Sequence, residues 1–379
     1  MKFFRRLLPC LLVILALVIV FPLIYGCSGV DESNRFHQLL KMVPSELKDS
    51  PMPITLTDLA SYYEDYSIPL TDSEGNPITL EGYVAYMIDN EILPVLGGAS
   101  FITGWGQYAQ SGLIQEKYLG YDFTSLDVEI LAGTPPNEVV AAIGRYDPQA
   151  TRDALSHQGE WPSWAVEAYS IEEYRGVTIH SWGEGMETHL TDRFAPPHID
   201  MLGRAMPLAV TDKYLFYAAT VETMKLMIDA SQGKTESLAD LPEFASIADG
   251  LFELNAYQAL IGLEFLANGD PDYEGTYPGP RLKKFLTFGS GIGKDEDGIY
   301  AAIVLYHESP DDAQANISLL EQRIADTNSI YDDTPWSEKI SNTEIRVDEK
   351  VLLAKLYTDS IILWQAWFYM REPLLLHEQ

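Results

Sequence analysis

Cysteine is nearly absent: the 379 residues contain two, Cys10 inside the N-terminal apolar run and Cys27 at its end. Once that run is removed, no pair of thiols is left to oxidise, which excludes a disulfide framework. A chain of several hundred residues can bury enough surface to fold without one. Basic residues are also scarce, with 25 Lys and Arg against 56 Asp and Glu and a formal charge of -31. Residues 1–26 hold three of the basic residues and no acidic one, so the remainder carries 22 against 56, or -34. A surface of that sign repels phosphate backbones and anionic headgroups, which argues against nucleic acid as a partner. Attachment to a membrane then needs something other than a basic patch. The excess of carboxylates also serves solubility. The chain is too rich in apolar (46%) and aromatic (11%) residues to be a disordered acidic tail, so a folded body follows the N-terminus.

The N-terminus is built in three parts. Lys2, Arg5 and Arg6 make a short basic start, residues 7–25 are almost wholly apolar, and Gly26-Cys27 closes the run with a small residue before a thiol. This is the layout of a secretory signal peptide. Ile24-Tyr25-Gly26-Cys27 resembles the lipobox of bacterial lipoproteins, with a branched aliphatic residue three positions before the Cys and a small one just before it; Tyr25 departs from the usual small or aliphatic choice. The resemblance implies cleavage after Gly26 and acylation of Cys27, giving a chain held on the extracytoplasmic side of a membrane by its lipid. The other reading is an uncleaved anchor, since residues 7–25 come near the ~20 needed to span a bilayer. Pro9 and Pro22 weaken a spanning helix. Either way the basic flank stays inside and the rest of the chain lies outside the cytoplasm.

Beyond the seam, residues 27–53 read as a tether with a short amphipathic helix near Phe36, and residues 54–126 as a mainly helical segment carrying "LEGYVAYMIDNEIL" and "SFITGWGQYAQSGL". A unit then recurs at residues 138–155, 213–230 and 298–325. Each runs from a β-rich apolar stretch through a polar turn into a helix. In the third, Ser309 is a good N-cap, Pro310 suits the first turn, Asp311 and Asp312 suit the positive helix start, and Ala313, Ile317, Leu320 and Ile324 share a face. In "WAVEAYSIEEYRGVTIHSW", Val177, Ile179 and Ser181 alternate with Thr178, His180 and Trp182, the mark of a hairpin. The pattern predicts an α+β fold: two related modules, residues 127–251 and 252–379, each an antiparallel-type sheet with helices packed on one face.

The layout as a whole is similar to a loosely defined group of extracytoplasmic bacterial lipoproteins of unknown function. The lipobox, "GVTIHSW", "DKYLFYAATVETMKLMIDA" with "SLADLPEF", and "FGSGIGKDEDGIYAAIVLYH" carry the likeness. It implies a fold and supplies no catalytic residues.

The motifs that invite chemistry mostly have simpler readings. "FGSGIGKDEDG" is not a phosphate loop, because the spacing from Gly289 to Gly293 is too short and Asp295, not Ser or Thr, follows Lys294. Asp295-Glu296-Asp297-Gly298 reads as a hairpin turn, with a weak calcium site as the other reading. Gly233-Lys234-Thr235 follows a helix, so Gly233 reads as its C-cap. Residues 360–370, "SIILWQAWFYM", are too short to span a bilayer and read as a buried helix. No G-x-S-x-G elbow occurs.

The densest set of possible metal ligands is His180, Glu184, Glu187, His189, Asp192, His198 and Asp200. Imidazoles and carboxylates can hold zinc, although no HExxH helix is present and Gly183 and Gly185 mark a loop. Two functions follow as expectations. The first is a membrane-anchored, non-enzymatic binding module for an envelope protein or small ligand, needing no cofactor. The second is a metal-dependent hydrolase that uses His180, His189 and His198.

Overall fold

In the computed structural model the described residues are 34–75, 78–90, 118–121, 125–157, 161–192, 197, 203–263, 279–360, 363–364 and 372–378. Cys27 lies outside them, as do "SFITGWGQYAQSGL" and most of "SIILWQAWFYM"; of the latter, Leu363 and Trp364 are described and buried. Arg35–Gln379 forms one compact unit.

Among the described residues its frame is an antiparallel sheet of twelve strands. In chain order these are β1 (Ile54–Asp58), β2 (Leu126–Ala132), β3 (Val139–Gly144), β4 (Tyr169–Tyr174), β5 (Val177–Trp182), β6 (Leu208–Val210), β7 (Tyr214–Ala218), β8 (Ala256–Leu263), β9 (Thr287–Asp295), β10 (Gly298–Tyr306), β11 (Asn342–Asp348) and β12 (Val351–Tyr357). Across the sheet the order is β11-β12-β10-β9-β8-β1-β2-β3-β7-β6-β5-β4. The helices are α1 (Arg35–Leu40), α2 (Leu59–Asp65), α3 (Leu80–Asp89), α4 (Pro148–Ser156), α5 (Ser163–Ala168), α6 (Val221–Ser231), α7 (Pro242–Glu253), α8 (Pro310–Asp326) and α9 (Trp336–Lys339). The α+β class therefore stands.

The three strand-turn-helix units are present as β3–α4, β7–α6 and β10–α8. Ser309 caps its helix as expected, and Asp147 and Thr220 do the same for theirs: each accepts a backbone N–H from the first turn of the helix that follows. Gly233 takes φ 63°, beyond the last turn of α6, and Lys234 N–H donates to Asp229 O, the Schellman pattern of a helix stop. Asp295 and Gly298 pair across the β9–β10 turn, where Gly298 has φ 133°.

Three expectations need correction. Residues 35–53 are not a free tether: Phe36, Leu39, Leu40, Met42 and Val43 are buried, because the amphipathic α1 finds an apolar surface under α7 and β2. Residues 54–58, read as the start of a helical segment, are β1. All five are buried, and Asp58 then caps α2 by accepting from Ser61 N–H. Finally, the strands of the two expected modules share one sheet. β1 pairs with β2 on one side and β8 on the other, and so joins the halves edge to edge.

Helices cover both faces of this sheet, not one. α1, α6 and α7 pack on Ile54, Val128, Val139, Phe216, Ala259 and Val304, whereas α2, α3, α4, α5, α8 and α9 contribute to the opposite cluster with Val140, Leu215, Leu260, Ile303 and Leu356. The helices of the second and third recurring units, α6 and α8, thus lie on opposite faces. Central strands buried on both sides read as continuous apolar runs, which hides which residue points where. The glycines of β9 have a packing role. A Cβ on Gly289 would lie 2.6 Å from Ile247 Cγ2 of α7, and one on Gly293 would lie 2.5 Å from the Tyr300 hydroxyl. Small residues let α7 sit close on the sheet.

Candidate functional site

The sheet ends at β4. Tyr174 and Val177 flank a two-residue turn in which Arg175 and Gly176 take φ 49° and 79°. That is the primed-turn geometry of a tight hairpin, and it makes the closing pair a hydrogen-bonded one. Alternation then directs the main-chain groups of Ser170, Glu172 and Tyr174 toward β5 and those of Tyr169, Ile171 and Glu173 outward. No described strand pairs with that outer side.

On one face the hairpin carries an aromatic bed. Trp182 of β5 stacks on Trp161, which just precedes α5, with ring centres 5.6 Å apart, and Tyr169 of β4 lies 5.7 Å from Trp182. Trp164 of α5 stacks flat on His189 at 3.5 Å and donates its indole N–H to Asp192 at 3.1 Å. Trp164 follows Trp161 by three residues across Pro162, the N-cap of α5, and α5 contacts β5 with Ala165 buried. Around the bed three apolar side chains face solvent: Ile171 is 57% exposed, Val166 45% and Leu190 66%. The same stretch, residues 163–192, holds Glu167, Glu172, Glu173, Glu184, Glu187 and Asp192 against the single cation Arg175, which is engaged by Asp229.

The expected metal ligands are distributed as follows. His180 lies on β5, 3% exposed, and its Nδ1 is hydrogen-bonded to the Tyr169 hydroxyl at 2.8 Å. Burial lowers its pKa to about 4, with Arg152 pushing the same way and Glu173 opposing; it is neutral at pH 7. Burial likewise raises the Tyr169 hydroxyl to about 12. His189 is held by the Trp164 stack and by its backbone N–H donating to Gly203 O. Glu184 and Glu187 are exposed, while His198 and Asp200 lie outside the described residues. Among the described residues no three His, Cys, Asp or Glu side chains converge as a metal group would require. The imidazoles that are described act as members of an aromatic packing unit. The residues overlooked in the sequence are Trp161, Trp164, Tyr169 and Ile171. Two tryptophans three residues apart mark an apolar contact beside the hairpin, but nothing local marks β4 as the outermost strand.

A second polar cluster is structural. Arg323 of α8 is fully buried and donates to the carbonyls of Leu374 (2.7 Å), Pro280 (2.5 Å) and Pro373, while buried Glu372 accepts from the Ser329 hydroxyl and from Ile330 and Tyr331 N–H. These bonds fasten residues 372–378 to α8.

No protein-family model and no curated protein sequence matches the chain. Among solved structures it is similar to crystal form I of TP0453, with a TM-score of 0.39 and 11% identity over 89% of this chain and 98% of that one. Crystal form III of the same protein gives 0.36 and 11% over 84% and 94%, and crystal form IV gives 0.36 and 10% over 85% and 95%. Among the described residues no helix is long and apolar enough to cross a membrane.

Proposed function

We propose that the chain is a non-enzymatic binding module, held on the extracytoplasmic side of a membrane by acylation of Cys27, that engages an envelope protein through the β4 end of its sheet. The observation that carries this reading is the exposed outer strand β4, with Ile171, Val166 and Leu190 in solvent beside an aromatic bed. Exposed apolar residues grouped at one place on an otherwise strongly acidic chain mark a contact surface more often than a catalytic centre. The lipid supplies localisation, since the acidic surface gives no electrostatic affinity for anionic headgroups.

The test uses the intact protein in its native membrane. The wild-type chain should sediment with the membrane fraction and Cys27→Ala should not. Affinity capture of the wild-type chain should also yield a protein that rebinds the purified chain saturably. Unaltered mass and membrane retention of Cys27→Ala would overturn the anchor. A hydrolytic activity abolished by chelation and by His189→Ala would overturn the non-enzymatic reading.

A further inference from the structure

We propose that β4 accepts an extended, basic segment of the partner protein as a thirteenth strand of the sheet. This rests on the binding-module reading and gives it a mode and a ligand chemistry. The two ends of the sheet are built differently. At β11, Ile345 and Val347 pack against the core on the side where α8 contacts this strand, and the outward row alternates Asn342, Glu344, Arg346 and Asp348, of which Arg346 is paired with Glu253. Charges of both signs on a strand whose apolar row is covered are the usual protection of an edge. β4 is protected less: its charges, Glu172 and Glu173, are of one sign, its middle residues 170–173 are all exposed, and Ile171 points a branched apolar side chain into solvent.

The turn geometry places the outward amide and carbonyl at Tyr169, Ile171 and Glu173, so an added strand would bond at three successive outward positions. Side chains of that strand on the face of Ile171 would meet the exposed Ile171. The opposite face would meet Glu172, which already draws Lys225 to 3.0 Å.

Charge selects the occupant. Six carboxylates against Arg175 in residues 163–192 favour lysine or arginine on the incoming strand. They disfavour a second copy of this chain, since antiparallel pairing of two β4 strands centred on Glu172 would set Glu172 of one copy directly opposite Glu172 of the other. Strand addition draws affinity from main-chain bonds and specificity from alternate side chains, so the expected ligand alternates apolar and basic residues.

The test uses the full chain in nonionic detergent with three fluorescent eight-residue peptides: alternating valine and lysine, alternating valine and glutamate, and the valine–lysine peptide N-methylated at alternate amides. The first should bind saturably, and the other two at least tenfold more weakly. Ile171→Pro removes an outward amide that makes no bond to β5, and it should weaken the first peptide at least tenfold with the melting midpoint little changed. Ile171→Asp, a surface change that leaves the backbone intact, should do the same and covers the case in which the proline variant unfolds. Equal binding of the N-methylated peptide would reduce the interaction to charge and overturn strand addition. So would full binding by Ile171→Asp, or no binding of any peptide to the folded wild-type chain. Self-association lost in Ile171→Asp would give the edge to a second copy and overturn the basic ligand. Capture of the same membrane protein by wild type and both Ile171 variants would leave the binding-module reading standing and remove β4 as its site.

Discussion

At the scale of single residues, His180 is the clearest case of a candidate ligand turned to packing. Its folded pKa of about 4 lies below the ordinary value of 6.5 because burial penalises the imidazolium. Between those two values the unfolded chain binds a proton that the folded chain refuses, so stability is full above pH 6.5 and falls as the pH drops toward 4. The loss from this residue is roughly 3 kcal/mol at the bottom of that window. His180→Phe should remove its part of the slope, measured by urea unfolding at several values between pH 4 and 7; an unchanged slope would show that His180 titrates in the folded protein as it does in the unfolded chain. Arg323 teaches a related lesson. The carbonyls of Pro373 and Leu374 in the returning C-terminal segment, together with that of Pro280, hold its guanidinium inside.

At the scale of elements, α8 is the best-specified helix in the chain. Its cap, first-turn acids and apolar stripe agree with one another, and Leu320 is fully buried while Gln322 is exposed. Leu320→Ala should cost on the order of 2–5 kcal/mol, the usual penalty for emptying a buried leucine site. Gln322→Ala should stay within about 0.5 kcal/mol. Chemical denaturation of both variants checks the pair, and similar small losses would mean that α8 is not seated on β11 and β12. The glycines of β9 show the opposite situation. Their spacing invited comparison with a phosphate loop, and only tertiary neighbours explain why side chains are excluded there: Ile247 and Leu251 of α7 at Gly289, the neighbouring strand β8 at Gly291, and Tyr300 at Gly293.

At the scale of the whole molecule, β1 makes the two halves one sheet. Met227 belongs to the apolar cluster that runs through both halves, and Leu320 to the cluster on the other face. Met227→Ala and Leu320→Ala should therefore lower the same unfolding transition, followed by circular dichroism and by intrinsic fluorescence together. Separate transitions would show that pairing of β1 with β2 and β8 does not couple the halves. Addition of a chelator should leave that transition where it is; its collapse would restore the loop at residues 180–200 as a metal centre.

Much of this architecture was legible before any fold was seen. The signals that sufficed were local: Ser309 before Pro310, Gly233 after α6, the period-two alternation of β5, and the acidic turn at Asp295 are each decided within a few residues of chain. Partner choice among strands was not local. β1 meets β2 some 70 residues on and β8 some 200 residues on, and no pattern inside Ile54–Asp58 distinguishes a central strand from the start of a helix. Face assignment was hidden for a related reason, since strands covered on both sides are apolar throughout. The candidate site depends on the same two facts. Residues 169–182 declared a hairpin on their own, but only the strand order of the whole sheet put β4 at one of its two ends, and only the tertiary packing set His180 against Tyr169 and His189 against Trp164.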